Sequence, residues 1–406
     1  MVDVVSPDGN AVGVPSRVRP EHGTARNRSG PSVARFQTLI AGAGSITDMN
    51  EERALDLLGG VEDPDLGEDV VSLGLVNGIE VGEGGTVHAS LALGAPYSPT
   101  ETAIAGRVRE VLAEAGVGDV ELSARVDRGA GGGDGGETEG VLPDVKNVIA
   151  VASGKGGVGK STVAVNLAAG LSGLGARVGL FDADVYGPNV PRMLDTEERP
   201  QATAEETLVP PEKHGMKLMS MAFLVGEDDP VIWRGPMVHK LLTQLTEDVE
   251  WGALDYLVLD LPPGTGDTQL TVLQTMPIAG AVIVTTPQDV AVDDARKALR
   301  MFGEHETPVL GIVENMSGFR CPDCGASHDV FGRGGGEAFA EEVEMPFLGE
   351  LPLDPGVREG EAGGAPIVLD EESETGGAFR SFVERAANNV GIVHRQRQAR
   401  ARSETS

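Results

Sequence analysis

Lysine is scarce in this 406-residue chain: there are seven, so arginine supplies most of the 32 basic side chains. Aromatic residues make up 4% of the sequence, and cysteine occurs twice. Long apolar runs are missing too. No stretch approaches the roughly 20 consecutive apolar residues that span a bilayer, and no charged-then-apolar leader opens the chain. A cytoplasmic protein with no membrane role is the expectation. Positive charge is outnumbered, 63 acidic residues against 32 basic, for a formal net charge of −31. Nucleic-acid binding through basic patches is therefore not expected. An acidic, lysine-poor, aromatic-poor composition suits a halophilic organism with molar internal salt, where the Debye length falls to about 3 Å and self-repulsion is screened. Two cysteines exclude a disulfide framework. Cys321 and Cys324, two residues apart, point instead to metal or redox chemistry.

Residues 1–48 have no sustained apolar period and hold five arginines against four acidic residues, unlike the acidic remainder. They read as a disordered arm, or as a stretch ahead of a true start at Met49. Residues 49–128 read as a small α+β domain. A helix over Glu51–Leu58 precedes a turn at Asp63-Pro64-Asp65. Strands follow near Leu75–Val81 and Thr86–Leu93, then a helix over Thr100–Ala115 and a strand over Val120–Val126. A glycine-rich linker covers 129–145. From 146 to 393 apolar strands alternate with longer helices, the pattern of an α/β fold with a doubly wound, mostly parallel sheet. Strands are expected at Asn147–Ala152, Val178–Asp182, Tyr256–Asp260, Gly280–Thr285 and Val309–Asn315. Residues 394–406 form a basic tail, read as a frayed, solvated end.

The chemistry concentrates where the first of these strands ends. Val148-Ile149-Ala150-Val151-Ala152 runs into Gly154-Lys155-Gly156-Gly157-Val158-Gly159-Lys160-Ser161, and a helix begins near Ser161 with Thr162 behind it. Strand, glycine-rich loop and helix in that order make an ATP-binding phosphate loop. Glycines let backbone N–H groups curl around phosphates, and the helix N-terminus adds partial positive charge. Lys160 would reach the β- and γ-phosphates and Ser161 would ligate Mg²⁺. Lys155 is a second cation in the same loop of a chain that otherwise avoids lysine. Asp182, Asp184 and Asp260 end two other strands, on the sheet edge where ligands of such folds bind.

This loop resembles the deviant Walker A loop of the MinD-like ATPases, a family of nucleotide-dependent dimers. The resemblance continues through Phe181-Asp182-Ala183-Asp184-Val185-Tyr186-Gly187-Pro188-Asn189 and Asp260-Leu261-Pro262-Pro263-Gly264-Thr265-Gly266-Asp267, which are similar to the family's two switches. It implies that Lys155 crosses a dimer interface to the second nucleotide and that Asp184 orients or deprotonates the attacking water. It further implies that Asp182 and Asp260 hold Mg²⁺ through water, and that Asn315 recognises adenine.

Arg320-Cys321-Pro322-Asp323-Cys324-Gly325 puts two thiolates on one turn. A structural zinc or a cubane cluster wants four protein ligands, so a homodimer would complete the set. Cluster, zinc (with His328 nearby) and redox disulfide all remain open on spacing alone. Residues 146–391 resemble the Mrp-type iron–sulfur carrier ATPases in the loop, both switches, Trp233-Arg234-Gly235-Pro236-Met237 and Val313-Glu314-Asn315-Met316-Ser317. That resemblance implies a labile 4Fe–4S cluster bridging two subunits and passed to apo client proteins. The competing reading is a MinD- or partition-type positioning ATPase, which would need an apolar-basic terminal helix or a basic surface. Residues 50–128 resemble the small assembly domain often fused to such carriers, with Ser98 standing where that family often has a reactive cysteine. A hydroxyl is a poor soft-metal ligand, so docking to clients is the role expected of this domain.

Overall fold

The computed structural model describes residues 49–82, 86–117, 119–124, 141–185, 187–223, 235–321 and 324–405. The expected arm at 1–48, most of the glycine-rich linker, Tyr186, Trp233-Arg234 and Pro322-Asp323 lie outside the described residues.

The first domain begins with α1 (Glu51–Leu58), which Asn50 caps by accepting the Arg53 N–H at 2.8 Å. Glu51 and Glu52 fill its first turn, where the helix end favours negative charge. Strands β1 (Val76–Val81) and β2 (Thr86–Leu91) pair antiparallel. α2 (Pro99–Glu114) then carries the chain over to β3 (Asp119–Ala124), parallel to β2. Ile104, Val108 and Leu112 recur every four residues on α2, and pack with Leu58 of α1 and Val87, Ala89 and Leu91 of β2. All three strands and both helices are those expected from the sequence.

The larger domain starts with β4 (Val145–Ala152) and α3 (Lys160–Gly173), then β5 (Val178–Asp182) and the short α4 (Val190–Met193). A ribbon of β6 (Gln201–Ala202) and β7 (Leu208–Val209) precedes β8 (Glu212–Lys213), β9 (Met216–Ser220) and α5 (Gly235–Glu247). Next come β10 (Leu254–Asp260), α6 (Asp267–Thr275), β11 (Ile278–Thr285), α7 (Asp289–Glu304) and β12 (Val309–Arg320). The chain closes with β13 (Ser327–His328), α8 (Gly335–Glu342), β14 (Phe347–Leu353), α9 (Pro355–Ala362) and α10 (Glu374–Thr405). One sheet runs β13-β12-β11-β4-β10-β5-β9-β8, with β14 also on β12. Its strands are parallel except β8 and β13 at the edges. Apolar layers cover both faces, so the central strands are buried on both sides and read as unbroken apolar runs.

The C-terminal tail is a correction. Residues 394–400 are not a frayed end but the continuation of α10. Phe379, Phe382, Val383, Ala386, Ala387 and Val390 repeat at helical spacing and sink into the core of the larger domain. The same helix then reaches the small domain, where Ala399 packs on its core. Arg395 is fully buried at this junction. Its guanidinium lies 2.6 Å from Asp63 Oδ2, 2.7 Å from Asp65 Oδ2 and 3.2 Å from Glu101 Oε1. His394 Nε2 lies 2.8 Å from Asn147 Oδ1, while Asn147 donates to the Gly94 carbonyl at 2.8 Å and Tyr256 to that of Pro96 at 2.7 Å. The small domain thus docks at the start of β4. At about 3.3 Å per residue, Asn147 is roughly 20 Å from the loop that follows that strand.

Candidate functional site

The register of the parallel strands brings the expected carboxylates together. Asp260 on β10 pairs with Asp182 on β5 and with Val151 on β4, so both acids stand level with the entry to the phosphate loop. The loop itself is held by its glycines. Gly159 adopts φ +79°, and a Cβ there would lie 2.1 Å from Asn315 Nδ2. A Cβ on Gly154 would lie 2.0 Å from the Asp294 carbonyl oxygen of α7. Neither position admits a side chain, and Gly159 also needs the left-handed backbone.

Lys160 is nearly buried and its ammonium sits 2.5 Å from Asp260 Oδ1, while Ser161 donates to Asp260 Oδ2 at 2.6 Å. Burial pushes Asp260 above the usual carboxylate range, against the pull of Lys160. Asp182 is pushed up to about 7, first by burial and then by the charge of Asp260. Two buried like charges beside a serine hydroxyl make a hard-oxygen set that fits Mg²⁺, which prefers such donors and keeps several waters. Asp260 and Ser161 are the better placed to hold it. Asp182 already accepts from Asp184 N, Val190 N and Ser220 Oγ at 3.2, 3.1 and 2.9 Å. It therefore ties Asp184 and Val190, in the loop after β5, to Ser220 of β9. Asp184 on that loop is nearly buried, close enough to Asp260 to raise it, and accepts the Gly187 N–H at 3.1 Å.

Lys155 differs from Lys160. It is half-buried and forms no ion pair among the described residues, and its carbonyl accepts the Ser153 hydroxyl at 2.9 Å. Asn315, at the end of the buried part of β12, donates from Nδ2 to the Val158 carbonyl at 2.8 Å. Gly156, Gly157, Val158 and Thr162 complete the loop and the first turn of α3.

β12 runs on past Asn315 to Arg320 and turns back as β13, so Cys321 and Cys324 occupy a hairpin turn. Gly325 N–H donates to the Cys321 carbonyl at 2.8 Å and Cys321 N–H to that of Ala326 at 2.9 Å. Cys324 is exposed and Cys321 partly so, and neither is in a disulfide. No cluster of three or more His, Cys, Asp or Glu side chains that could hold a metal ion occurs among the described residues. His328 pairs with Phe319 across the hairpin and is exposed.

Comparison with known proteins sets this geometry in a family. The family model described as NUBPL iron-transfer P-loop NTPase matches residues 144–387, and one described as iron–sulfur cluster assembly protein matches 51–124. The chain belongs to the iron-transfer P-loop NTPase family. An iron–sulfur cluster carrier protein of Synechocystis is 44% identical over 85% of this chain and 99% of its own length. One of Deinococcus radiodurans is 46% identical over 83% of this chain and 95% of its own. Among solved structures, a nucleotide-binding protein of Archaeoglobus fulgidus in complex with ADP shares 37% identity, with a TM-score of 0.52 over 59% of this chain and 93% of that one. No helix among the described residues of this P-loop NTPase is long and apolar enough to cross a membrane.

The assembly-type domain puts Ser98 to a structural use. It is fully buried and caps α2 by accepting the Glu101 N–H at 3.3 Å, with Pro99 at the first helical position. Two further groups have roles that their neighbours in the chain do not announce. Glu314 is buried and accepts the Gly334 and Gly336 N–H groups at 2.9 and 2.5 Å, anchoring the start of α8. Arg395 falls in the segment whose sequence predicts a solvated tail, yet it is fully buried. The repeat of apolar residues from Phe379 to Val390 was the available signal that the helix continues.

Proposed function

We propose that this chain is an ATP-hydrolysing iron–sulfur cluster carrier. Two copies hold one labile 4Fe–4S cluster between their Cys321 and Cys324 pairs and pass it to apo-proteins in the cytoplasm. The observation that carries the reading is the pair of accessible thiols on a hairpin at the end of the strand whose Asn315 grips the phosphate loop. Two thiols close half of a four-thiolate site, so a second copy supplies the rest. The surface beside the hairpin suits such a contact. Val330 and Phe331 are exposed in the loop after it, and that loop reaches Pro287, three residues before the exposed Val290.

In the nucleotide cycle, the loop N–H groups and Lys160 hold the phosphates, with Ser161 and Asp260 holding Mg²⁺, which shields phosphate charge when bound. Asp184 orients the attacking water and accepts its proton as the oxygen bonds to the γ-phosphorus and the bond to ADP breaks. Lys155 of the second copy meets the charge developing on the transferred group, a cation role worth several powers of ten in rate when supplied in trans. A positioning ATPase would need its basic terminal helix for a membrane. Here α10 is committed to the junction, with Arg395 buried among three carboxylates.

The test is anaerobic reconstitution with iron and sulfide, reading iron, acid-labile sulfide and mass on one sample. About one 4Fe–4S cluster per two chains is expected. Cys321→Ala and Cys324→Ala should each abolish it while ATP turnover persists. A monomer with stoichiometric zinc and no labile sulfide refutes the carrier reading.

A further inference from the structure

β12 pairs with β11 as far as Glu314 and with β14 as far as Asn315, and its ladder breaks just beyond. Glu314 ties the strand to the start of α8 through two N–H bonds, and Asn315 ties it to the phosphate loop through Val158. The strand then leaves regular geometry. Met316 has φ +58° and Gly318 φ +68°, and pairing with β14 jumps from Asn315↔Leu351 to Phe319↔Leu353. Ser317 Oγ lies buried in this bulge without a partner among the described residues. A left-handed methionine and an orphaned buried hydroxyl are both unfavourable. Such strain persists where surrounding structure imposes it. Pairing resumes at Phe319, and the cysteine hairpin begins two residues later.

The contact with the loop is close. Asn315 Nδ2 occupies the place a Cβ on Gly159 would need, is nearly buried, and bonds the carbonyl one residue before it. Gly159 caps α3, so its position sets where the Lys160 and Ser161 groups stand. Phosphate binding that shifts this segment must therefore move Asn315 or break its bond.

We propose that Asn315 is a positioning residue that couples the phosphate loop to the cysteine hairpin, with the 316–318 bulge as the point that yields. Nucleotide binding pulls on Asn315 through Val158. Because Glu314 pins the strand on the α8 side, the displacement is taken up in the bulge and turns the hairpin. Thiol exposure, and with it retention of any cargo on the thiols, follows the nucleotide state. This rests on the phosphate-loop reading but not on the cluster, since the thiols themselves report it.

The experiment uses the full chain without metal and measures alkylation rates of Cys321 and Cys324, by mass, with and without a saturating non-hydrolysable ATP analogue. The native chain should change rate at least threefold on binding. Asn315→Ala should lose the rate change at saturation. Asn315→Asp, isosteric but without the donor, should do the same and covers the case in which the alanine variant does not fold. Circular dichroism checks both. Nucleotide-independent alkylation in the native chain, or full retention of the change in Asn315→Asp, overturns the coupling. Failure of the native chain to bind any nucleotide would instead count against the phosphate-loop reading.

Discussion

Arg395→Met removes the cation at the domain junction while keeping much of its volume, and its cost can be worked from the structure. Asp63 is fully buried and Glu101 nearly so, and the guanidinium is the cation both share. Burial already pushes Glu101 above the usual carboxylate range, with Arg395 among the groups that offset it. Breaking a buried pair from one side strands the remaining charge and costs about 3–5 kcal/mol. Molar salt relieves little of this, because buried charges are screened far less than exposed ones. Urea unfolding in roughly molar KCl should show that loss, with amides of α1 and α2 exchanging before those of β4. Adding Asp63→Asn and Glu101→Gln to Arg395→Met should recover much of it, since no buried charge is then left alone. ATP turnover should stay near native, because the junction lies about 20 Å from the phosphate loop. A loss below about 1 kcal/mol for Arg395→Met would refute the argument and leave α10 docked by apolar contacts alone.

Other expectations follow from the sites. Lys160→Ala should remove ATP binding measured by calorimetry, whereas Asp184→Asn should bind ATP and hydrolyse it about 10²-fold or more slowly, the scale of lost acid–base catalysis. Asp255 is raised by burial, but hydrogen bonds from Arg177 and Lys146 outweigh this and bring it down to about 2. Its folded value lies below the unfolded one, so its contribution is present above about pH 4 and is lost as pH falls towards 2. The difference in thermal midpoint between the native chain and Asp255→Asn should shrink across that window; a constant difference would contradict the assignment. The −31 charge and scarcity of lysine predict loss of structure below a few tenths molar salt and retention at molar KCl. Unchanged circular dichroism at about 50 mM salt would refute the halophilic reading.

The local chemistry is legible along the chain. The loop from Gly154 to Ser161, the acids at 182, 184 and 260 and the cysteine pair each sit where a strand ends, and apolar runs mark those strands because both faces of a parallel sheet are buried. Asn50 and Ser98, at the starts of α1 and α2, likewise act through neighbours a few residues away. Pairings between distant segments come only from packing in three dimensions. Nothing near Arg395 in the chain announces Asp63 or Glu101, some three hundred residues earlier, so a basic segment looked solvated until those acids were placed against it. Asp182 is expected beside Mg²⁺, but a carboxylate at a strand end gives no sign that Ser220 and Val190 also donate to it. Asn315 showed its type but not its partner. Only the packing of β12 beside the loop, two strands from β4, fixes its side chain on Val158, because hydrogen-bond partners are set by distance in space rather than along the chain.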